Sequence, residues 1–275
     1  MAIITLTTDM GYRDYYVAAV KGIIYNIVPD IIIIDISHHI SPFDIAQASF
    51  ILRNTYPNFP PGTIHIIGVN PEKVKRTGAF DMRDEVNHVI IKHEGQYFIG
   101  ADNGIFSLLF DQVPEDIYEI TLDTGVEHST FPTRDVFAKI ACLISSGMPL
   151  DEMGKRVNSV KERSVFRPVA EENIIRGTVI YIDSYGNVIT NITQSLFNHT
   201  GKGRPFTIFF RREDYDITEI SRNYSNVPEG EKVALFGSSG YLEIAINKGV
   251  EGSGGGASSL FGLKVNDTIR IEFGS

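Results

Sequence analysis

Short β-branched runs alternate with helical periodicity through the first part of the chain. Ile3 to Thr8 is a strand pattern, and Val17, Val20, Ile24 and Ile27 recur at the spacing of one helix face, stopped by Pro29. Ile31 to Ile36 reads as a buried strand, Ile45 to Leu52 as a helix and Thr63 to Val69 as another strand. This order predicts a three-layer α/β domain over residues 1–170, with a mostly parallel central sheet and helices on its faces. After Pro168 to Glu172 the helical signal stops. Strand patterns at Ile174 to Ile182, Val188 to Ile192, Pro205 to Phe210, Lys232 to Phe236, Tyr241 to Ile246 and Thr268 to Phe273 predict an antiparallel, β-barrel-like domain over residues 171–275. Gly249 to Ser259, with Gly254-Gly255-Gly256, reads as a flexible loop. It is not a phosphate cradle, because no Lys-Ser/Thr follows and no helix pattern opens directly behind it.

Charge narrows the ligand class. A net charge of -9 argues against a nucleic-acid or anionic-membrane partner, both of which need a basic face, and leaves a small cationic ligand compatible. The longest apolar run, Tyr15 to Val20, is too short to span a bilayer, so a soluble protein is expected. Cys142 sits within the helical pattern Val136, Phe137, Ile140, Ala141 and Ile144, as a packed thiol. A lone cysteine allows no intrachain disulfide, which fits a cytoplasmic protein.

Two segments stand out chemically. Thr5-Leu6-Thr7-Thr8-Asp9-Met10-Gly11 and Asp183-Ser184-Tyr185-Gly186-Asn187-Val188-Ile189-Thr190-Asn191 each set a carboxylate and a glycine turn beside an apolar strand. A buried strand delivers a polar group to the rim of a ligand cleft in this way, and two such rims suggest one site built at a junction. Asp9, between a strand and Gly11, is placed at the carboxyl end of the sheet, where open α/β folds bind ligands; an Asx turn or helix cap is the structural alternative. Asp35 followed by His38 and His39 raises a metal hypothesis, but adjacent histidines on an extended chain point to opposite sides, so at most one joins Asp35.

Together these stretches resemble the S-adenosylmethionine hydrolase family, the adenosine-forming hydroxide adenosyltransferases related to fluorinases and chlorinases. The resemblance rests on Asp9 with Asp14, Tyr16, Val17, Lys21 and Gly22, on Asp35 to Asp44, on Asp102-Asn103-Gly104, and on Ser238-Ser239-Gly240-Tyr241-Leu242-Glu243-Ile244-Ala245-Ile246-Asn247. It implies that Asp9 accepts hydrogen bonds from the two ribose hydroxyls and that Phe43 forms an aromatic wall over the sugar. Asp183 is implied for the methionine amino group, Tyr185 and Asn187 for the neighbourhood of the nucleoside, and Tyr224 for stacking on adenine. The strand signature containing Ser238, Ser239 and Asn247 is implied to read the adenine edge. The resemblance further implies no metal or cofactor, with S-adenosylmethionine as substrate or ligand, and a homotrimer with sites at subunit interfaces.

The chain departs from the family at the nucleophile. The Asp of Val-Asp-Pro-Gly-Val-Gly is Asn70 here, followed by Pro71-Glu72-Lys73-Val74-Lys75-Arg76, and Arg76 reaches the family's arginine position only with a shift of about one residue. The His of Thr-Phe-His-Gly-Arg-Asp is Pro132 in Thr130-Phe131-Pro132-Thr133-Arg134-Asp135. An amide orients water but accepts no proton at neutral pH, and proline does neither. Three readings follow. Asn70, Arg76 and Thr133 position a water while another group, such as Glu72 or His128, acts as base; the altered cradle holds a halide; or the protein binds the nucleoside without turnover. If the resemblance misleads, the remaining reading is a metal-dependent hydrolase using Asp9 and either His38 or His39. Arg134 and Asp135 are expected to serve structure at the start of the helix that follows.

Overall fold

The computed structural model describes residues 2–75, 85–112, 114, 116–126, 129–164, 167–210, 212–249 and 255–274, without the side chains of 212–215. They form two compact units, Met1–Ser164 and Val165–Ser275.

The first unit runs β1 (Ile3–Thr8), α1 (Tyr16–Ile27), β2 (Ile32–Ser37), α2 (Ile45–Arg53), β3 (Ile64–Gly68), β4 (His88–His93), β5 (Gln96–Ala101), α3 (Ile105–Leu109) and β6 (Asp116–Ile120). A π-helical turn, Thr133–Phe137, then leads into α4 (Ala138–Ser145), α5 (Leu150–Met153) and β7 (Gly154–Val157). The sheet order is β2-β1-β3-β5-β4-β6-β7. Its first four strands are parallel, and β4, β6 and β7 extend it by antiparallel pairing. Both faces are covered, as parallel strands require. Ile4, Leu6, Ile64 and Ile66 pack with Val20 and Ile24 of α1 and with α4, while Ile67 and Phe98 pack with Ala48 and Leu52 of α2 and with Phe106 of α3. Cys142 is buried in the first of these cores, where desolvation pushes its thiol up to about 11.

The pattern reading named no strands at β4 to β7. β4 and β5 form a hairpin whose turn places Glu94 and Gly95 at φ of 49° and 76°. Backbone with two positive φ values matches the strand twist and favours a tight hairpin.

The second unit runs β8 (Val169–Ala170), β9 (Ile174–Ile182), β10 (Val188–Thr193), α6 (Gln194–Gly201), β11 (Phe206–Phe210), β12 (Arg212–Ile217), β13 (Lys232–Phe236), β14 (Tyr241–Ile246), α7 (Ala257–Phe261) and β15 (Thr268–Phe273). The antiparallel order is β12-β11-β15-β9-β10-β14-β13, with β8 on β9. Edge strands β12 and β13 approach each other, with Lys232 Nζ 3.6 Å from Asp216 Oδ1, so the sheet is nearly a closed barrel. Two expectations need correction. The helical signal does not end at Glu172: the Thr193 hydroxyl accepts the Leu196 N–H at 3.1 Å and caps α6. A short helix, α7, also opens directly behind the triple glycine.

Candidate functional site

Strands β2, β1 and β3 lie side by side and parallel, so their carboxyl ends carry His38, Asp9 and Asn70 to one rim of the first unit. Gly11 turns the chain at φ 62° and donates its N–H to the His38 carbonyl at 2.7 Å. Asp9 Oδ2 accepts the Phe43 N–H at 2.9 Å, and no hydrogen bond engages Oδ1 among the described residues. Phe43 holds φ 65°, a left-handed backbone that costs a non-glycine residue about 1–2 kcal/mol, and its ring is 70% exposed. Tyr12, Tyr15 and Tyr16, on the segment that follows Asp9, are exposed as well.

Asn70 is exposed, at φ 45°, and two side chains brace its turn. Asn103 Nδ2 donates to the carbonyls of Val69 at 3.2 Å and Asn70 at 3.0 Å, and His88 Nε2 donates to the Pro71 carbonyl at 2.8 Å. Thr133 reaches the same rim: a Cβ at Gly68 would lie 2.7 Å from Thr133 Oγ1 and 3.1 Å from the Thr8 methyl. The Thr133 hydroxyl is fully buried without a hydrogen-bond partner among the described residues. Such an orphan marks a place where a small polar group belongs. Arg76 and His128 lie outside the described residues, and Glu72 is exposed.

Arg134 and Asp135 knot the turn beneath Thr133. Arg134 Nε donates to Asp135 Oδ1 at 2.6 Å and Ser129 Oγ to Oδ2 at 2.7 Å. Burial would raise the Asp135 carboxyl, but these two bonds outweigh it and hold it below the usual range. His38, and not His39, joins Asp35, with Nε2 3.1 Å from Oδ1. Among the described residues no group of three metal-ligating side chains comes together.

In the second unit Asp183, Tyr185, Asn187, Tyr224, Ile246, Asn247, Lys248 and Gly249 line an open cleft of about 600 Å³. Asp183 Oδ1 accepts the N–H groups of Tyr185 and Asn187, both at 2.9 Å, and Oδ2 accepts Asn187 Nδ2 at 3.0 Å. Asn247 Nδ2 donates to the Val227 carbonyl at 2.6 Å. Tyr224 donates its hydroxyl to Glu243 Oε1 at 2.6 Å, which fixes its ring as a wall of the cleft. Burial raises the Glu243 carboxyl, aided by Asp183; burial and the Glu243 carboxylate likewise raise the Tyr224 phenol. Ser238 and Ser239 occupy the turn between β13 and β14, at the opposite end of β14 from Ile246 and Asn247, so they do not line this cleft. Sequence reasoning missed Glu243 as the partner of Tyr224, and Lys248 and Gly249 as walls.

The described end of the glycine-rich segment packs on the Asp183 turn. Ser258 N–H donates to the Gly186 carbonyl at 2.9 Å, and a Cβ at Gly256 would overlap the Tyr185 carbonyl oxygen. Backbone cannot yield as a side-chain tip can. Gly256→Ala is therefore expected to cost about 1–3 kcal/mol of stability and to weaken ligand binding at the cleft. Thermal unfolding together with adenosine titration checks this.

Comparison with known proteins matches residues 4–154 to the SAM hydroxide adenosyltransferase N-terminal domain and residues 177–270 to the C-terminal domain of the same family. An (R)-S-adenosyl-L-methionine hydrolase of Methanocaldococcus jannaschii is 36% identical over 69% of this chain and 66% of its own length. One of Thermus thermophilus is 29% identical over 96% and 97%. The crystal structure of an uncharacterized conserved protein from Thermotoga maritima superposes with a TM-score of 0.81 at 29% identity, covering 98% of this chain and 99% of that one. With both of its domains matched in order, this chain belongs to the SAM hydroxide adenosyltransferase family.

Proposed function

We propose that the protein hydrolyses S-adenosylmethionine to adenosine and methionine. The observation that carries the reading is the cleft in which Asp183, Tyr185, Asn187, Tyr224 and Asn247 converge, in a chain whose relatives are S-adenosylmethionine hydrolases. In the reaction a water oxygen forms a bond to C5′ as the C5′–sulfur bond breaks. The electron pair goes to sulfur, methionine leaves as a neutral thioether, and the water's proton passes to a base or to solvent. A sulfonium needs no acid to leave, so the protein's work is to orient the nucleoside, exclude bulk water and hold one nucleophile.

Each unit has groups suited to part of that work. Asp9 Oδ1 is an acceptor for the ribose diol, and the exposed Phe43 ring offers a face for the sugar. Tyr224 offers an aromatic face for adenine, and the Asp183 carboxylate suits a cationic ammonium or sulfonium. Thr133 and Asn70 supply a hydroxyl and an amide for orienting the nucleophile, with Arg76 as a candidate cation. Ser238 and Ser239 remain candidates for ligand contact away from the described cleft. We further propose a cytoplasmic homotrimer that uses no cofactor.

Incubation of purified protein with S-adenosylmethionine, with and without chloride, followed by chromatography, tests the reading. Adenosine and methionine in equal amounts are expected. A halogenated nucleoside would reassign the rim to a halide. Tight binding with no product would make the protein a nucleoside-binding relative, a reading that Asn70 and Pro132 favour because neither takes a proton from water. Light scattering at a mass of three chains is the expected result for the assembly.

A further inference from the structure

We propose that His38 is a positioning residue that sets the geometry of the Asp9 turn for ligand binding. The inference rests on the nucleoside reading of that rim and adds a residue to which the mechanism above gives no part. His38 holds the turn at both ends: Thr8 Oγ1 lies 2.6 Å from its Nδ1, and Gly11 donates to its carbonyl at 2.7 Å. Its ring is buried, 1% exposed, and lies edge-on to Tyr12 at 4.8 Å. Behind it stands Asp35, whose Oδ2 receives Lys21 Nζ at 2.6 Å and the Tyr12 hydroxyl at 2.9 Å.

These contacts favour one tautomer. Nε2 lies 3.1 Å from Asp35 Oδ1, an approach of charge rather than an aligned hydrogen bond, and with the proton on that nitrogen Nδ1 accepts the Thr8 hydroxyl. The Thr8 oxygen in turn receives the Met10 N–H at 3.4 Å, next to Asp9. A second proton on His38 would set Nδ1–H against the Thr8 O–H and turn the hydroxyl over, loosening the turn that aims Asp9. The groups facing the ring are Asp35, which favours that proton, and Lys21 and His39, which oppose it. Burial is the largest influence and keeps the imidazole below its ordinary 6.5.

The test compares the full-length protein with His38→Asn and His38→Leu by adenosine calorimetry from pH 8 to 5 and by amide exchange of the peptide covering residues 8–13. Asparagine retains an acceptor near Nδ1 but does not titrate; leucine retains only bulk. His38→Leu is expected to weaken adenosine about tenfold or more, to raise KM for S-adenosylmethionine with kcat nearly unchanged, and to lose exchange protection at residues 8–13. His38→Asn is expected to recover most of the affinity and to lose less of it on acidification than the unsubstituted protein does. Unaltered affinity and protection in His38→Leu, or an acid loss of affinity in His38→Asn as large as that of the unsubstituted protein, would overturn the proposal. If His38→Leu does not fold, the comparison of His38→Asn with the unsubstituted protein decides it. If the unsubstituted protein binds no adenosine, the nucleoside reading fails while the exchange measurement still decides the role of His38 in the turn.

Discussion

Replacing Asp9 with alanine is expected to weaken adenosine and S-adenosylmethionine by at least about a hundredfold and to abolish product formation at working substrate concentrations. The magnitude follows from the charge. A hydrogen bond to an ionised group contributes about 1.5–3 kcal/mol, and the proposed ribose diol gives the carboxylate two. Asp9 also supports its surroundings: Oδ2 accepts the N–H of Phe43, which holds φ 65°. Without that acceptor the left-handed backbone loses its restraint, and the ring is no longer presented as a wall. Asp9→Asn separates the two effects. It keeps a carbonyl oxygen for Phe43 but offers the diol an uncharged group, so amide exchange at residues 41–45 should match the unsubstituted protein while affinity falls. Both variants should unfold within about 1 kcal/mol of the unsubstituted protein, since the carboxylate is only partly buried. Calorimetry and amide exchange on the same samples check all three statements, and full affinity in Asp9→Ala would remove this rim from the site.

Much of this site was legible because its residues lie at strand ends. Ile3 to Thr8 is apolar and β-branched up to its last residues, so Asp9 had to fall at a strand terminus, and parallel pairing with β2 and β3 puts that terminus beside His38 and Asn70. Lys232 to Phe236 and Tyr241 to Ile246 were legible for the same reason. What the pattern hid depends on contacts distant in sequence. Glu243 lies within a strand pattern, and only β14's placement beside the Tyr224 turn turns it into the acceptor of a phenol. Helix α6, Gln-Ser-Leu-Phe-Asn-His-Thr-Gly, has no clear apolar stripe; its one local signal is the Thr193 cap. Asn103 looked like a turn residue and is one, yet its amide also carries the backbone of Val69 and Asn70, more than thirty residues away.

The sheet that carries this rim gives the fold an acid weakness that can be measured without any ligand. His65 lies between β1 and β5, with Nδ1 2.7 Å from Thr5 Oγ1 and Nε2 2.7 Å from Gln96 Oε1, stacked on Phe98 at 4.7 Å. The Gln96 oxygen only accepts, so Nε2 carries the proton and Nδ1 takes the Thr5 hydroxyl. A second proton, on Nδ1, would have to turn the Thr5 hydroxyl over. His88 packs edge-on to Phe137 at 4.8 Å while holding Pro71. Desolvation is the chief cause that lowers both to about 4 from 6.5. Between those values the unfolded chain binds protons that the folded chain refuses. The stabilisation is therefore complete above pH 6.5 and is lost as pH falls towards 4. Each histidine contributes up to about 1.4 kcal/mol per pH unit inside that window, so the pair is expected to cost the first unit about 3 kcal/mol between pH 6.5 and 5. Denaturant unfolding at stepped pH, resolved by amide exchange in β3 and β5, should show that slope, and His65→Gln should remove about half of it whatever its stability at pH 7. An unchanged slope in His65→Gln would show that His65 titrates alike in the folded and unfolded chain. Since His88 also holds Pro71 beside Asn70, the nucleophile rim should begin to exchange in the same pH range, tying the lower limit for activity to the opening of this core.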